Sequence, residues 1–252
     1  MNSNSINKLP QITFYFWVMK ICATTLGETG GDLISMTLNA GYAVSSIILV
    51  GIFIVSLITQ MFSKQYKPWL YWTVILTTST AGTTMSDFMD RTIGLGYATG
   101  SLILISILLV TFLIWYLSEK SLSVVNITSI KGELFYWIAI LFSNTLGTAL
   151  GDFLADNSGL GFAGGAILIG SCLVIIVALT YFTNISRIAL FWIAFVLTRP
   201  FGATLGDFFT KPLSKGGLNF GTIGSSIILA SILLIFIVIA SRKKNIQIQS
   251  AP

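Results

Sequence analysis

The sequence has no histidine, two cysteines and little charge: nine acidic and fourteen basic residues in 252, or 9%. The missing histidine removes the commonest ligand of zinc and copper, together with the Ser–His and HExxH arrangements of hydrolases. No enzymatic activity and no cofactor are therefore expected. Cys22 and Cys172 both fall in apolar stretches and make neither a disulfide framework nor a CxxC metal site. A soluble domain carries about a quarter charged residues, whereas here 54% of residues are hydrophobic. No polar stretch exceeds roughly fifteen residues, far below the ~50 of a soluble domain. The whole chain, 1–252, reads as one integral membrane domain whose first partner is lipid. The net charge of +5 then concerns membrane orientation and gives no ground for a nucleic-acid partner. The first apolar segment, from about Ile12, lacks a small-residue cleavage site in the usual context and is not read as a signal peptide.

What is present is a repeat. Trp17, Trp72, Trp137 and Trp192 each follow another aromatic residue and each precede an aspartate by fifteen residues: Asp32, Asp87, Asp152 and Asp207. A glycine stands five residues before every one of these aspartates, at Gly27, Gly82, Gly147 and Gly202. Four matches in step establish an internal repeat. Each copy continues through a loop of about nine residues and a turn such as Gly94-Leu-Gly-Tyr97 or Gly159-Leu-Gly-Phe162. An apolar run of about twenty residues follows, enough to cross a ~30 Å hydrocarbon core. The reading is an all-α protein of eight transmembrane helices, roughly 12–30, 41–62, 69–87, 96–117, 134–152, 160–182, 188–207 and 218–240. The repeats cover about 12–62, 69–117, 134–182 and 188–240. The aspartates are 55, 65 and 55 residues apart, and the polar linker 118–133 accounts for the longer interval. The chain is thus expected as two pairs of parallel two-helix repeats, a 2+2 arrangement about an axis along the membrane normal.

Positive charge assigns the sides. Lys8, Lys64, Lys67, Lys120, Lys131, Arg187, Arg242, Lys243 and Lys244 share the face of the termini, against Arg91, Lys211 and Lys215 opposite. Both termini are expected in the cytoplasm. The sequons Asn126-Ile-Thr128 and Asn184-Ile-Ser186 fall on that same side and are read as accidental. The tryptophans fit a cytoplasmic interfacial belt. Fifteen helical residues rise about 22 Å, which puts each aspartate in the outer part of the bilayer.

Before each aspartate the segment is polar as well. Four residues earlier stand Glu28, Thr83, Thr148 and Ala203; seven earlier, Thr25, Thr80, Thr145 and Pro200; eight earlier, Thr24, Ser79, Asn144 and Arg199. These spacings are expected to form one stripe. The odd-numbered helices should line the interior and the even-numbered ones should face lipid. A buried ionisable group in a membrane is by default a functional hypothesis. Glu28, Asp32, Asp87, Asp152 and Asp207 are the candidates, with Lys20 and Arg199 as opposing charges. Five acids against two bases leave room for a cation, and carboxylates with hydroxyl and amide oxygens suit Mg²⁺, Ca²⁺ or Mn²⁺. Protons or Na⁺ fit too. Lys20 is expected to snorkel to the inner interface, and Asp90 and Asp156 to lie in solvated outer loops. The competing reading makes each aspartate a cap for the loop after its helix.

The four Trp-x₁₄-Asp copies resemble an uncharacterised family of bacterial membrane proteins built from four tandem two-helix repeats, each with a tryptophan. That resemblance rests on Trp17, Trp72, Trp137 and Trp192. It implies a bacterial inner membrane and supplies no substrate. Thr25-Leu-Gly-Glu-Thr-Gly-Gly-Asp32 is similar in style to the Glu-x-Gly-Asp motifs of some cation exporters, with one residue of difference. Together these features lead to a first expectation, a cation exporter for a divalent metal such as Mn²⁺ that uses the five carboxylates, Asn144 and the threonines at 25, 80 and 145. A carrier of small organic or amino-acid-like solutes with Arg199 as carboxylate clamp is the second, and a non-transporting scaffold the third.

Overall fold

The computed structural model describes residues 8–249 apart from 126 and 128, and only the backbone of 243–249. The Asn126-Ile-Thr128 sequon and the side chains of Lys243 and Lys244 lie outside the described residues. Those described form eight α-helices and no strand: α1 Phe14–Asp32, α2 Tyr42–Phe62, α3 Pro68–Asp87, α4 Tyr97–Glu119, α5 Ile130–Asp152, α6 Gly161–Phe182, α7 Arg187–Thr210 and α8 Thr222–Gln249. Local chemistry explains the starts. Thr13, Ser129 and Ser186 accept from the backbone N–H of Phe16, Gly132 and Ala189 at the heads of α1, α5 and α7, and Pro68 opens α3. Gly41 and Gly96, with φ of +74° and +73°, turn the chain into α2 and α4 where a side chain would be strained. The linker between α4 and α5 is shorter than expected, because Glu133 already belongs to the first turn of α5.

Six helices, α2 and α4 to α8, are long and apolar enough to cross a membrane by length and composition. α1 and α3 fall short because they carry the polar stripe at its densest, from Thr24 to Asp32 and from Thr77 to Asp87.

The four odd helices form a closed ring in which α1 packs on α3, α3 on α5, α5 on α7 and α7 on α1. The seams repeat one contact. A methyl group on Gly27 would overlap Ser79; on Gly82, the backbone of Asn144; on Gly147, Arg199; and on Gly202, Thr24. The glycine five before each aspartate thus seats the residue eight before the next aspartate, as small residues do wherever helices approach closely.

The even helices sit outside the ring, but not beside their own sequence partners. α2 packs on α3, α4 on α5, α6 on α7, and α8 closes the circle on α1. Each repeat lends its second helix to the next repeat. The outer faces are rows of exposed aliphatics, such as Ile47 and Val55 on α2, Leu102 and Leu109 on α4, and Ile227 and Leu234 on α8. The expected division into inner odd and outer even helices therefore holds.

The tryptophans overturn an expectation. Trp72, Trp137 and Trp192 are buried, so they are no lipid-facing belt. Phe16 meets Trp72, Tyr71 meets Trp137, Tyr136 meets Trp192 and Phe191 meets Trp17, with ring centroids 5.6–6.1 Å apart. This aromatic ring plugs one end of the bundle. Edge-on and tilted ring pairs of that kind are each worth about 0.5–1.5 kcal/mol beyond their burial.

Candidate functional site

At the other end the four aspartates converge. Asp32, Asp87, Asp152 and Asp207 are all 2–3% exposed. The helix runs on through the first three into one wide π turn, Leu33–Thr37, Phe88–Thr92 and Phe153–Asn157. None of the three makes a side-chain bond to the backbone that follows, so capping does not explain them.

They are held by two cations that the sequence reading placed in outer loops. Arg91 bridges Asp87, at 3.0 Å, to Asp152, at 2.9 Å. Lys211 bridges Asp207, at 3.0 Å, to Asp32, at 2.6 Å. Each cation stands four residues after its own aspartate, one helical turn on, and also reaches the aspartate of the next repeat. That i,i+4 relation was the readable signal. Burial pulls the Lys211 ammonium down, but Asp207 and Asp32 outweigh it, and its pKa stands above the usual lysine range. Asp90 departs from expectation too: it is buried beside Ser86 and against Gly100 of α4. Asp156 is exposed as expected.

One turn deeper lies the second layer. The Arg199 Nη2 donates to Glu28 Oε2 at 2.9 Å and to the hydroxyls of Thr83 and Thr148 at 2.6 Å. Those hydroxyls lie 3.3 and 3.2 Å from the same carboxylate oxygen. Four helices thus meet at one oxygen: Glu28 from α1, Thr83 from α3, Thr148 from α5 and Arg199 from α7. Arg199 is fully buried, and its Nε and Nη1 have no hydrogen-bond partner. Below it, Lys20 does not snorkel. It is fully buried, 4.0 Å above the Phe195 ring and 3.4 Å from Asn144 Oδ1, while the Asn144 amide donates to Thr78 at 3.0 Å.

The stripe is therefore narrower than expected. Positions four and eight before the aspartate face the axis or the seams, with Asn144 among them. Thr25, Thr80 and Thr145, seven before it, donate to carbonyls of their own helices at Ile21, Leu76 and Leu141 and do not reach the cluster. Counted at about 100° per residue from the aspartate, positions four and eight lie roughly 40° and 80° to one side and position seven about 20° to the other.

Of the five acids, Glu28, Asp32 and Asp207 present oxygens all within 4.8 Å of one another, a spacing that could hold a metal ion. Asp87 and Asp152 lie on the Arg91 side. The charge balance also changes. Arg91 and Lys211 join Lys20 and Arg199, so five acids face four bases rather than two.

Fold and site together define a class: an all-helical repeat protein whose four polar helices ring a buried, nearly charge-balanced cluster. The chain belongs to the family described as Repeat of Unknown Function (DUF347), which matches it four times in tandem, over 15–66, 70–121, 135–186 and 190–245. Nothing among curated proteins or solved structures matches it.

Proposed function

We propose that the chain is a multi-pass transporter for a small cation, held by Glu28, Asp32 and Asp207. All eight helices would cross the bilayer, with α1 and α3 shielded from lipid inside the ring. The aromatic end would face the cytoplasm of a bacterial inner membrane, with both termini there. The orientation rests on the excess of Lys and Arg at the aromatic end over Arg91, Lys211 and Lys215 at the aspartate end.

The observation that carries the reading is the close set of three buried carboxylates from α1 and α7. Burying uncompensated charge is costly, so the balance constrains the ion. With Lys211 in place, five acids and four bases leave one negative charge, which a proton would neutralise. With Lys211 swung out, three bases remain, and a divalent ion closes the balance. Lys211 follows the last residue of α7 and carries its charge on a flexible stem, so it can swing away from its carboxylates. In this mechanism Lys211 and Arg199 occupy the carboxylates when the ion leaves, and the ion displaces Lys211 when it binds.

The test is thermal unfolding of the purified chain with Na⁺, K⁺, Mg²⁺, Ca²⁺ and Mn²⁺, followed by flux in vesicles with whichever ion stabilises. Glu28→Gln and Asp207→Asn should each abolish the stabilisation and the flux. If no cation raises the unfolding temperature, and none moves across the membrane, the reading fails.

The two unpartnered nitrogens of Arg199 favour a second reading, a carrier of small carboxylates clamped by that guanidinium. It requires that Arg199→Lys abolish stabilisation by carboxylate solutes while cations have no effect.

A further inference from the structure

The sequence repeats four times, but the ion pairs at the aspartate end repeat only twice. Arg91 ties α3 to α5, and Lys211 ties α7 to α1, where Arg199 and Glu28 add a second pair. Among the described residues no ion pair crosses α1/α3 or α5/α7. At the level of the aspartates those two seams meet through small groups, Gly31 against Thr83 and Gly151 against Ala203; one turn deeper they are crossed by neutral hydroxyls, with Thr83 donating to the Gly27 carbonyl and Thr148 accepting from Arg199. The outer helices follow the same partition in their main packing, α2 and α4 on α3 and α5, and α6 and α8 on α7 and α1, although α8 also touches α3 across it.

We infer that the molecule moves as two rigid halves, α2–α5 and α6–α8 with α1, which part at the aspartate end along α1/α3 and α5/α7.

Three further observations support that division. The halves are continuous in the chain apart from α1, so only two connections join them there, Leu33–Gly41 and Phe153–Gly161. Both begin with a π turn and end on a residue of positive φ, Gly41 and Gly161, a build they share with the connection 88–96 inside one half; irregular turns of this kind can take up the change of angle that the two connections between the halves require. At the aromatic end, by contrast, the halves are strapped. Lys8, on the segment leading into α1, donates to Glu133 of α5 at 2.8 Å and to the Met61 carbonyl of α2 at 2.9 Å. The pivot is therefore the aromatic end. Finally, the deep cluster sits on the dividing surface, with Glu28 and Arg199 from one half and Thr83 and Thr148 from the other. A site placed between two rocking halves is how repeat-built carriers expose a ligand to one side at a time. The inference deepens the transport reading and rests on it for its purpose, not for its geometry.

The experiment measures distances between spin labels on the full chain in vesicles, with Cys22 and Cys172 replaced by alanine. Ile93 and Leu213 lie exposed on the aspartate-end turns of opposite halves; Val44 and Ile93 are exposed within one half. The Ile93–Leu213 pair should show two distances whose populations shift when Mn²⁺ is added, and Val44–Ile93 should show one that stays put. Locking α5 to α7 through Gly151→Cys and Ala203→Cys, whose Cβ positions at 3.0 Å must part by about 0.5–1 Å to reach disulfide spacing, should leave only the shorter Ile93–Leu213 distance until the disulfide is reduced, the labels being carried on non-natural amino acids that the reductant spares. Equal spreading of both pairs, or a single fixed Ile93–Leu213 distance with and without Mn²⁺, overturns the inference. Two distances that ignore every cation would keep the two halves and remove the cation reading; stabilisation by a cation with no motion would do the reverse.

Discussion

Two bridges of one design close the aspartate end, and their surroundings differ. Arg91 and Lys211 occupy the same register, four residues after Asp87 and Asp207, and each reaches across to the next repeat. Arg91 is packed in. Its guanidinium lies 5.9 Å from the centre of the Tyr42 ring and 5.6 Å from that of Tyr97, and it donates to the Tyr42 hydroxyl at 3.2 Å. Among the described residues the Lys211 ammonium makes one further hydrogen-bond contact besides its carboxylates, to the Met36 sulfur at 4.0 Å. Glu28 groups with Asp32 and Asp207, the two carboxylates that Lys211 bridges. Arginine holds two carboxylates through a flat, permanently charged fork, whereas lysine is a point charge on a flexible stem. On the transport reading, the arginine bridge would stay and the lysine bridge would let go.

The largest effect should come from removing the bridge that stays. Arg91→Met leaves Asp87 and Asp152 buried and facing each other, which costs about 3–5 kcal/mol. Thermal unfolding should drop accordingly, and no cation should restore it. A drop that Mn²⁺ repairs would make the two bridges equivalent and erase the distinction.

Lys211→Met should destabilise comparably in chelator, since it exposes Asp32, Asp207 and Glu28 to one another. Here added divalent cation should recover most of the loss, because the ion takes the ammonium's place. The unfolding temperature read against Mn²⁺ concentration decides the point. Lys211→Arg is the complement: stability kept, cation response reduced, because the fork does not leave.

How much of this was legible beforehand can be judged from the same residues. The fifteen-residue Trp–Asp interval and the glycine five before each aspartate gave the helices, the inner stripe and the convergence of the acids, because those depend on helical periodicity and on the cost of facing lipid with a carboxylate. Arg91 and Lys211 were misplaced because hydropathy ends the helix at the aspartate, whereas the backbone winds on for another turn and carries the cation inward. The tryptophans were misplaced because an aromatic residue at a helix end reads alike whether it faces lipid or a neighbouring helix. The exchange of even helices between repeats was hidden as well. A repeat in sequence marks what is copied, not which copy it packs on.

A smaller effect tests the packing around Arg91. Tyr42→Leu removes one ring face and one hydroxyl, worth about 1 kcal/mol. Its signature should be a modest fall in unfolding temperature together with a new, partial response to Mn²⁺, as the Arg91 bridge is loosened toward the behaviour of Lys211. No change in either quantity would mean that the tyrosines do not hold the guanidinium.

The smallest effect should be that of pH on the looser bridge. The Lys211 pKa is raised in the folded chain because Asp207 and Asp32 outweigh its burial. A group whose pKa rises on folding contributes its full stabilisation below the unfolded value, about 10.4 for lysine, and loses it only as pH climbs through the folded value. Arg91 does not titrate at all. Between pH 7 and 9 the native chain and Lys211→Arg should therefore unfold at temperatures that run parallel. If the native chain alone weakens over that interval, the ammonium is losing its proton with both carboxylates beside it. Lys211 would then leave by deprotonation rather than by displacement, and a proton, not a metal ion, would be what the looser bridge exchanges.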